Sequence, residues 1–196
     1  MTWNPDVDGF RKNRNAEEVR KFDPYAHAVT MITEPHRLAH DGFVYHTSKK
    51  WVGVANGAAV DVLFDVPANT YPHIQKMEIF AGAGDIDFAL YEGVTVSANG
   101  TLCPCPNVNR NSSNTGATQI YVDPTVTDTG TLIADHWVPP TSTGQGQSQQ
   151  GVSNASEGEE WIFAPSTKYV KRITNNSGNA VDMYISIVWY EIGYER

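Results

Sequence analysis

The stretch "VDVLFDV", Val60–Val66, decides the fold class. Its apolar residues Val60, Val62, Phe64 and Val66 fall on one side of an extended chain, and Asp61 and Asp65 fall on the other. Side chains alternate across a strand, so this pattern predicts a half-buried β-strand with one wet face. The same period recurs in "DIDFALYE", where Ile86, Phe88 and Leu90 oppose Asp85, Asp87 and Ala89. It recurs again in "VDMYISIVWYEI", where Met183, Ile185, Ile187 and Trp189 share a face. "TKYVKRIT" is rich in β-branched and aromatic residues, and "HIQKMEIFA" alternates more weakly.

Shorter candidates are "FVYHT", "TQIYV", "TLIADHWV" and "EEWIFA". About eight or nine strands separated by Gly, Pro, Asn and Ser clusters, with no helical pattern between them, predict an all-β antiparallel sandwich. Eight strands with long connections favour a jelly-roll-like arrangement. At 196 residues the chain is long enough for one such domain and its core without disulfides.

The first 40 residues read differently. "WNPDVDGFRKNRNAEEVRKFDPYAH" has prolines at Pro5 and Pro24, Gly9, and no two-residue period. "NAEEVRKF" suggests one short helix, with Asn15 as N-cap and Glu18 completing a capping box. The expected organisation is therefore an extended N-terminal arm over 1–40 and a β-sandwich domain over 41–196. Two long connections stand out, roughly Ser97 to Ala117 and the polar, Gln-rich Pro139 to Glu159. Connections of this length are usually functional or disordered.

The net charge of −8 is unevenly spread. Residues 1–50 carry eight cations against seven acids, whereas residues 51–196 carry six against fifteen. So acidic a body repels phosphate backbones, and no nucleic-acid partner is expected. No apolar run approaches the ~20 residues of a membrane helix, and the amino terminus lacks the apolar stretch of a secretory signal. No membrane association is expected.

Candidate chemistry is thin. Cys103 and Cys105 in "TLCPCPNVNRNSSNTG" are too close in sequence for an unstrained mutual disulfide. A zinc site needs two further thiol or imidazole ligands, and a redox centre needs Cys-x-x-Cys at a helix start. Free thiols, cross-links to neighbouring subunits, and a metal remain open in that order. Replacing both with serine is expected to cost under about 1 kcal/mol. His36 and His40 in "EPHRLAHDGFVYH" stand four residues apart, but Pro35 and Gly42 leave room for little more than one helical turn. Arg37 occupies the position where a zincin has Glu, so hydrogen-bonded polar residues are the simpler reading. Asp85 and Asp87 read as solvent-facing acids of a strand, and the Asn-x-Ser/Thr triplets at Asn99, Asn111, Asn154 and Asn175 as turn residues. No catalytic signature appears. The chain is expected not to be an enzyme and to need no cofactor.

The segments "AHDGFVYH", "VPANTYPHIQKMEIFAGAGDIDFALYEG", "NRNSSNTG", "WVPPTSTGQGQS" and "PSTKYVKRITNNSGNAVDMYISIVWYE" together resemble small structural proteins of tailed bacteriophages. They are similar to proteins assigned as head decoration, or cement, proteins. The resemblance covers about Ala39 to Glu195. It implies a β-sandwich on the capsid surface of the virion, assembled in the host cytoplasm, with the major capsid protein as partner and self-association as a homotrimer. The alternative from another class is a receptor- or glycan-binding head-fibre or tail module. Arm residues Trp3, Phe10, Arg11, Lys12, Arg14 and Phe22 combine the aromatics and cations that dominate docking contacts, and are expected to dock on the capsid or a neighbouring subunit. On the last strand, Tyr184, Val188 and Tyr190 face away from the core side and are expected at an oligomer contact. A chain starting near Ala39 is expected to fold yet fail to bind particles.

Overall fold

A computed structural model describes residues 33–82, 84–139 and 160–191 in full, and the strand pairing of 21–23, 28–30 and 150–153. In chain order the elements are β1 (Lys21–Asp23), β2 (Ala28–Thr30), α1 (Glu34–Asp41), β3 (Val44–Val54), β4 (Ala59–Asp65), β5 (Pro72–Ala81), β6 (Ile86–Glu92), β7 (Thr95–Ala98) and β8 (Thr101–Leu102). They continue as β9 (Gln119–Val122), β10 (Thr125–Asp128), β11 (Thr131–Val138), β12 (Gln150–Ser153), β13 (Trp161–Ile162), β14 (Lys168–Asn175) and β15 (Val181–Glu191).

Two antiparallel sheets face each other. One has the order β11-β6-β14-β4-β9-β8, the other β12-β5-β15-β3, with β13 also pairing with β5. From β3 to β6 the chain changes sheet at every step; β6 and β11 then pair as neighbours, and the alternation resumes to β15. That order is a jelly roll, the architecture expected from the strand pattern. The inward positions of β4, β6 and β15 fill the core as their period requires. Phe64, Ile86, Phe88, Leu90, Met183, Ile185, Ile187 and Trp189 are each at most 2% exposed.

The weak alternation of β5 has a local cause. Val188 of β15 opposes Lys76 while Trp189 opposes Ile74, so Gln75 is the extra residue of a β-bulge. The bulge reverses the parity of the strand. Ile74 on one side of it and Met77, Ile79 and Ala81 on the other therefore all reach the core.

The long connection between β6 and β11 is ordered. β7 and β10 pair as an antiparallel ribbon, and β9, with β8 beside it, joins the far edge of the six-stranded sheet at β4. The ribbon crosses the outer face of that sheet. There it covers Leu63 and Val170, both 0% exposed, with Val94, Val96 and Val126 of the connection and Tyr91 and Tyr121 of the sheet around them. Gly130 makes the return turn possible at φ +65, where a Cβ would also strike the Glu92 carbonyl.

Three expectations change. Lys21–Asp23 is a strand paired with Ala28–Thr30, so the helix expected over Asn15–Phe22 does not reach Lys21; its earlier part lies outside the described residues. The Gln-rich connection contributes β12, which extends the five-stranded sheet at β5. Residues 34–40, assigned to the arm, form α1 and pack on the sandwich through Leu38.

Candidate docking surface

Helix α1 lies on the outer face of the five-stranded sheet. Pro35 opens it, and Gly42 closes it in the left-handed conformation at φ +77. The Gly42 N–H bonds the Ala39 carbonyl and the Phe43 N–H bonds the Leu38 carbonyl, a Schellman pair. Leu38 is 1% exposed and packs on Val44 and Tyr190, with Val188 alongside.

The asparagine-rich loop after Cys105 completes the helix end. Asn107 Nδ2 donates to the Gly42 carbonyl at 2.7 Å, Asn109 Nδ2 to the His40 carbonyl at 2.7 Å, and Asn114 Nδ2 to Gly42 at 3.1 Å. These carbonyls have no partner inside the helix, so the loop satisfies what the helix end leaves open. Asn107 also bridges to Tyr45 of β3, which fixes the loop to the sheet.

Tyr190 is held from two sides. Its ring stacks on His73 at 4.5 Å, and its hydroxyl lies 3.0 Å from each carboxylate oxygen of Glu160, while His73 Nδ1 bonds Glu160 at 2.9 Å. This cluster ties β5, β15 and the chain entering β13 together. His73 is 3% exposed, so the trio is a structural pin rather than an open site.

Beyond α1, no described residue covers the outer sheet face. Phe80 and Tyr184, neighbours across β5 and β15, lie half-buried with ring centroids 6.1 Å apart. The Lys50–Asp182 ion pair at 2.8 Å borders them. Together with Gly82 they line a hollow of about 380 Å³. It sets two aromatic rings beside a charged pair, an aromatic centre with a polar rim.

Of the expected contact residues, Tyr184 belongs to this open patch, whereas Val188 and Tyr190 pack against the chain's own helix. A contact through Tyr190 has no free surface to use, because Tyr190 is 7% exposed. Trp3, Phe10, Arg11, Lys12 and Arg14 lie outside the described residues, and Phe22 falls on β1, where only strand pairing is described. Phe80 escaped sequence reasoning because the bulge in β5 hid its phase. Its signal was an aromatic directly opposite Tyr184, visible only once the register was known.

The remaining candidates have structural partners. Cys103 belongs to the core cluster, and burial pushes its thiol up; burial pushes the Cys105 thiol to about 11. The Cys103 sulfur fills core space, so its replacement is expected to cost more than that of the half-buried Cys105. Asp85 accepts the Trp137 indole N–H at 3.0 Å, and Asp87 accepts the Asn176 amide at 2.6 Å. Asn175, read as a turn residue, is fully buried and donates to the Val54 and Asn179 carbonyls. Among the described residues, no group of three or more His, Cys, Asp or Glu side chains gathers in a metal-binding arrangement. Comparison with protein-family models gives no match, and comparison with curated proteins gives none either.

Proposed function

We propose that this chain is a virion structural protein that decorates and stabilises a bacteriophage capsid. It binds the major capsid protein lattice and associates with further copies of itself as a homotrimer. The observation that carries this reading is the divided outer face of the β12-β5-β15-β3 sheet. Helix α1 covers Val44, Val188 and Tyr190, and among the described residues Phe80 and Tyr184 are left as an aromatic patch beside Lys50 and Asp182. A half-buried aromatic patch of this kind suits a subunit contact. The acidic body suits a position on the outside of the shell, away from packaged DNA. A protein that binds only the assembled lattice shifts the equilibrium toward assembly by mass action, with no chemistry required.

The test is co-sedimentation of the purified chain with emptied particles of the phage that encodes it, coupled to a heat-release assay for packaged DNA. The expected result is stoichiometric binding and a higher temperature of DNA release. Replacing Phe80 and Tyr184 with alanine should weaken binding more than 10-fold while leaving the melting temperature of the free protein nearly unchanged. Full binding by that variant would remove the patch from the reading, and no binding by the native chain would end it.

A second reading has its own observation. Trp137 on β11 is 59% exposed, and its indole is held in place by Asp85. A fixed, exposed aromatic ring is what a receptor- or glycan-binding module would present to a sugar face. Loss of host-cell or glycan binding on Trp137→Ala, with particle binding intact, would favour this reading over the first.

A further inference from the structure

The geometry points to a two-histidine binding site for a divalent transition-metal ion on the exposed side of α1, formed by His36 and His40. The two residues stand one helical turn apart, on a helix that runs two turns rather than the single turn its flanking Pro35 and Gly42 suggested. Both are exposed. Their rings meet edge to face with centroids 4.6 Å apart, and their Nε2 atoms are 2.9 Å from each other. That contact requires one ring to donate a proton and the other to offer a lone pair, so the two Nε2 atoms face each other across a single shared proton.

A metal can take the place of the shared proton once the donor ring loses its Nε2 proton to solvent, takes one up at Nδ1, and both rings turn their Nε2 lone pairs toward the ion. Metal–imidazole bonds of 2.0–2.1 Å and a nitrogen separation of 2.9 Å imply an N–metal–N angle of about 90°. Tetrahedral zinc would need the nitrogens about 3.3 Å apart. The right angle instead matches adjacent positions of a square-planar or octahedral ion, which favours Cu2+ and Ni2+. The general affinity order for nitrogen sites points the same way, with copper the tightest.

The described surroundings hold the pair's helix in place. The backbone at His40 is fixed, because its carbonyl accepts the Asn109 amide and the next turn is closed by Gly42. Arg37, the nearest cation in sequence, is occupied on both sides by Glu34 and Asp41. Its charge is therefore offset, and neither carboxylate is left over as a third ligand. Among the described residues no third ligand joins the pair, and the remaining coordination positions would be taken by water.

The test is titration of the full chain with Cu2+, Ni2+ and Zn2+, read by calorimetry, by the nitrogen hyperfine pattern of bound copper, and by thermal melting. One copper should bind at this site with two nitrogen ligands, more tightly than nickel or zinc, and should raise the melting temperature. His36→Gln and His40→Gln should each weaken that site about 100-fold, because losing one ligand removes the chelate advantage, and should abolish the shift in melting. The His136→Gln variant serves as a control and should bind as the parent does. Binding within threefold of the parent in either single variant, or tighter binding of zinc than of copper, would overturn the assignment.

Discussion

Lys171 offers a sharp test of how the sandwich tolerates charge. It lies on β14 between Tyr169 and Ile173, both core residues, while Val170 and Arg172 point to the outer face. The strand period therefore puts a lysine inside, and it is 3% exposed. Its amine sits 5.9 Å from the Phe88 ring centroid, and burial pulls its pKa from the ordinary 10.5 down to about 8, with Asp135 pulling weakly back. A drop of that size corresponds to about 3 kcal/mol of penalty for the charged form.

The sign is opposite to that of a salt-bridged lysine. Between pH 8 and 10.5 the unfolded chain holds this proton and the folded chain does not, so stability rises with pH across that window. The penalty is fully present below pH 8. Lys171→Met keeps the length of the side chain and removes the charge. Giving up a cation–π contact with Phe88 costs about 1 kcal/mol, which leaves a gain of about 2 kcal/mol at pH 7. For a chain of this size that is an increase of roughly 4–8 °C in melting temperature. The gain should nearly vanish by pH 10.5. Thermal melts of parent and variant at pH 7 and pH 10, taken as differences, cancel contributions common to both, such as Tyr169, whose hydroxyl is pushed to about 12 by burial and its bond to Glu92. A variant that is less stable at pH 7, or a difference that does not change with pH, would refute the reasoning.

Three further outcomes are expected. A disulfide reagent should label neither thiol of the native protein at neutral pH, because burial holds both as thiols; Cys103→Ser should cost about 1–3 kcal/mol and Cys105→Ser under about 1, measured by denaturant unfolding. Asn107→Ala leaves the Asn109 N–H without its partner and the buried Gly42 carbonyl with Asn114 as its remaining side-chain donor, which should cost about 1–2 kcal/mol and speed amide exchange in α1 before the core opens. Of two shortened chains, one beginning at Thr33 should be more stable than one beginning at Ala39 by about 2–5 kcal/mol, since only the first keeps Leu38; equal stability would mean that α1 adds nothing to the sandwich.

That last comparison shows where sequence reasoning stops. The core was legible because β4, β6 and β15 repeat a two-residue period with aspartates or tyrosines out of phase, and burial follows period directly. β5 was legible only in part, since one extra residue at Gln75 breaks the phase without leaving a compositional mark. The tetrapeptides "TVSA", "TVTD" and "QGVS" gave no signal at all. Each is too short to show a period, and its strand state depends on a partner distant in the chain.

The most informative residues were apolar ones on the wrong face. Leu63 between two aspartates, Val170 after Tyr169, and Tyr184, Val188 and Tyr190 on β15 all break the wet-face pattern. Each marks an outer surface that must be covered by something. Sequence alone treats them as one class. The fold separates them by cover: the β7–β10 ribbon takes Leu63 and Val170, and α1 takes Val188 and Tyr190. Which of them receives an internal cover is set by where the long connection 93–130 and one short helix fold back, contacts that no local pattern encodes. Among the described residues Tyr184 is left without such a cover, and Phe80 joins it through the bulge that hid its phase. The same defect that made β5 hard to read thus supplies half of the patch on which docking is proposed to depend.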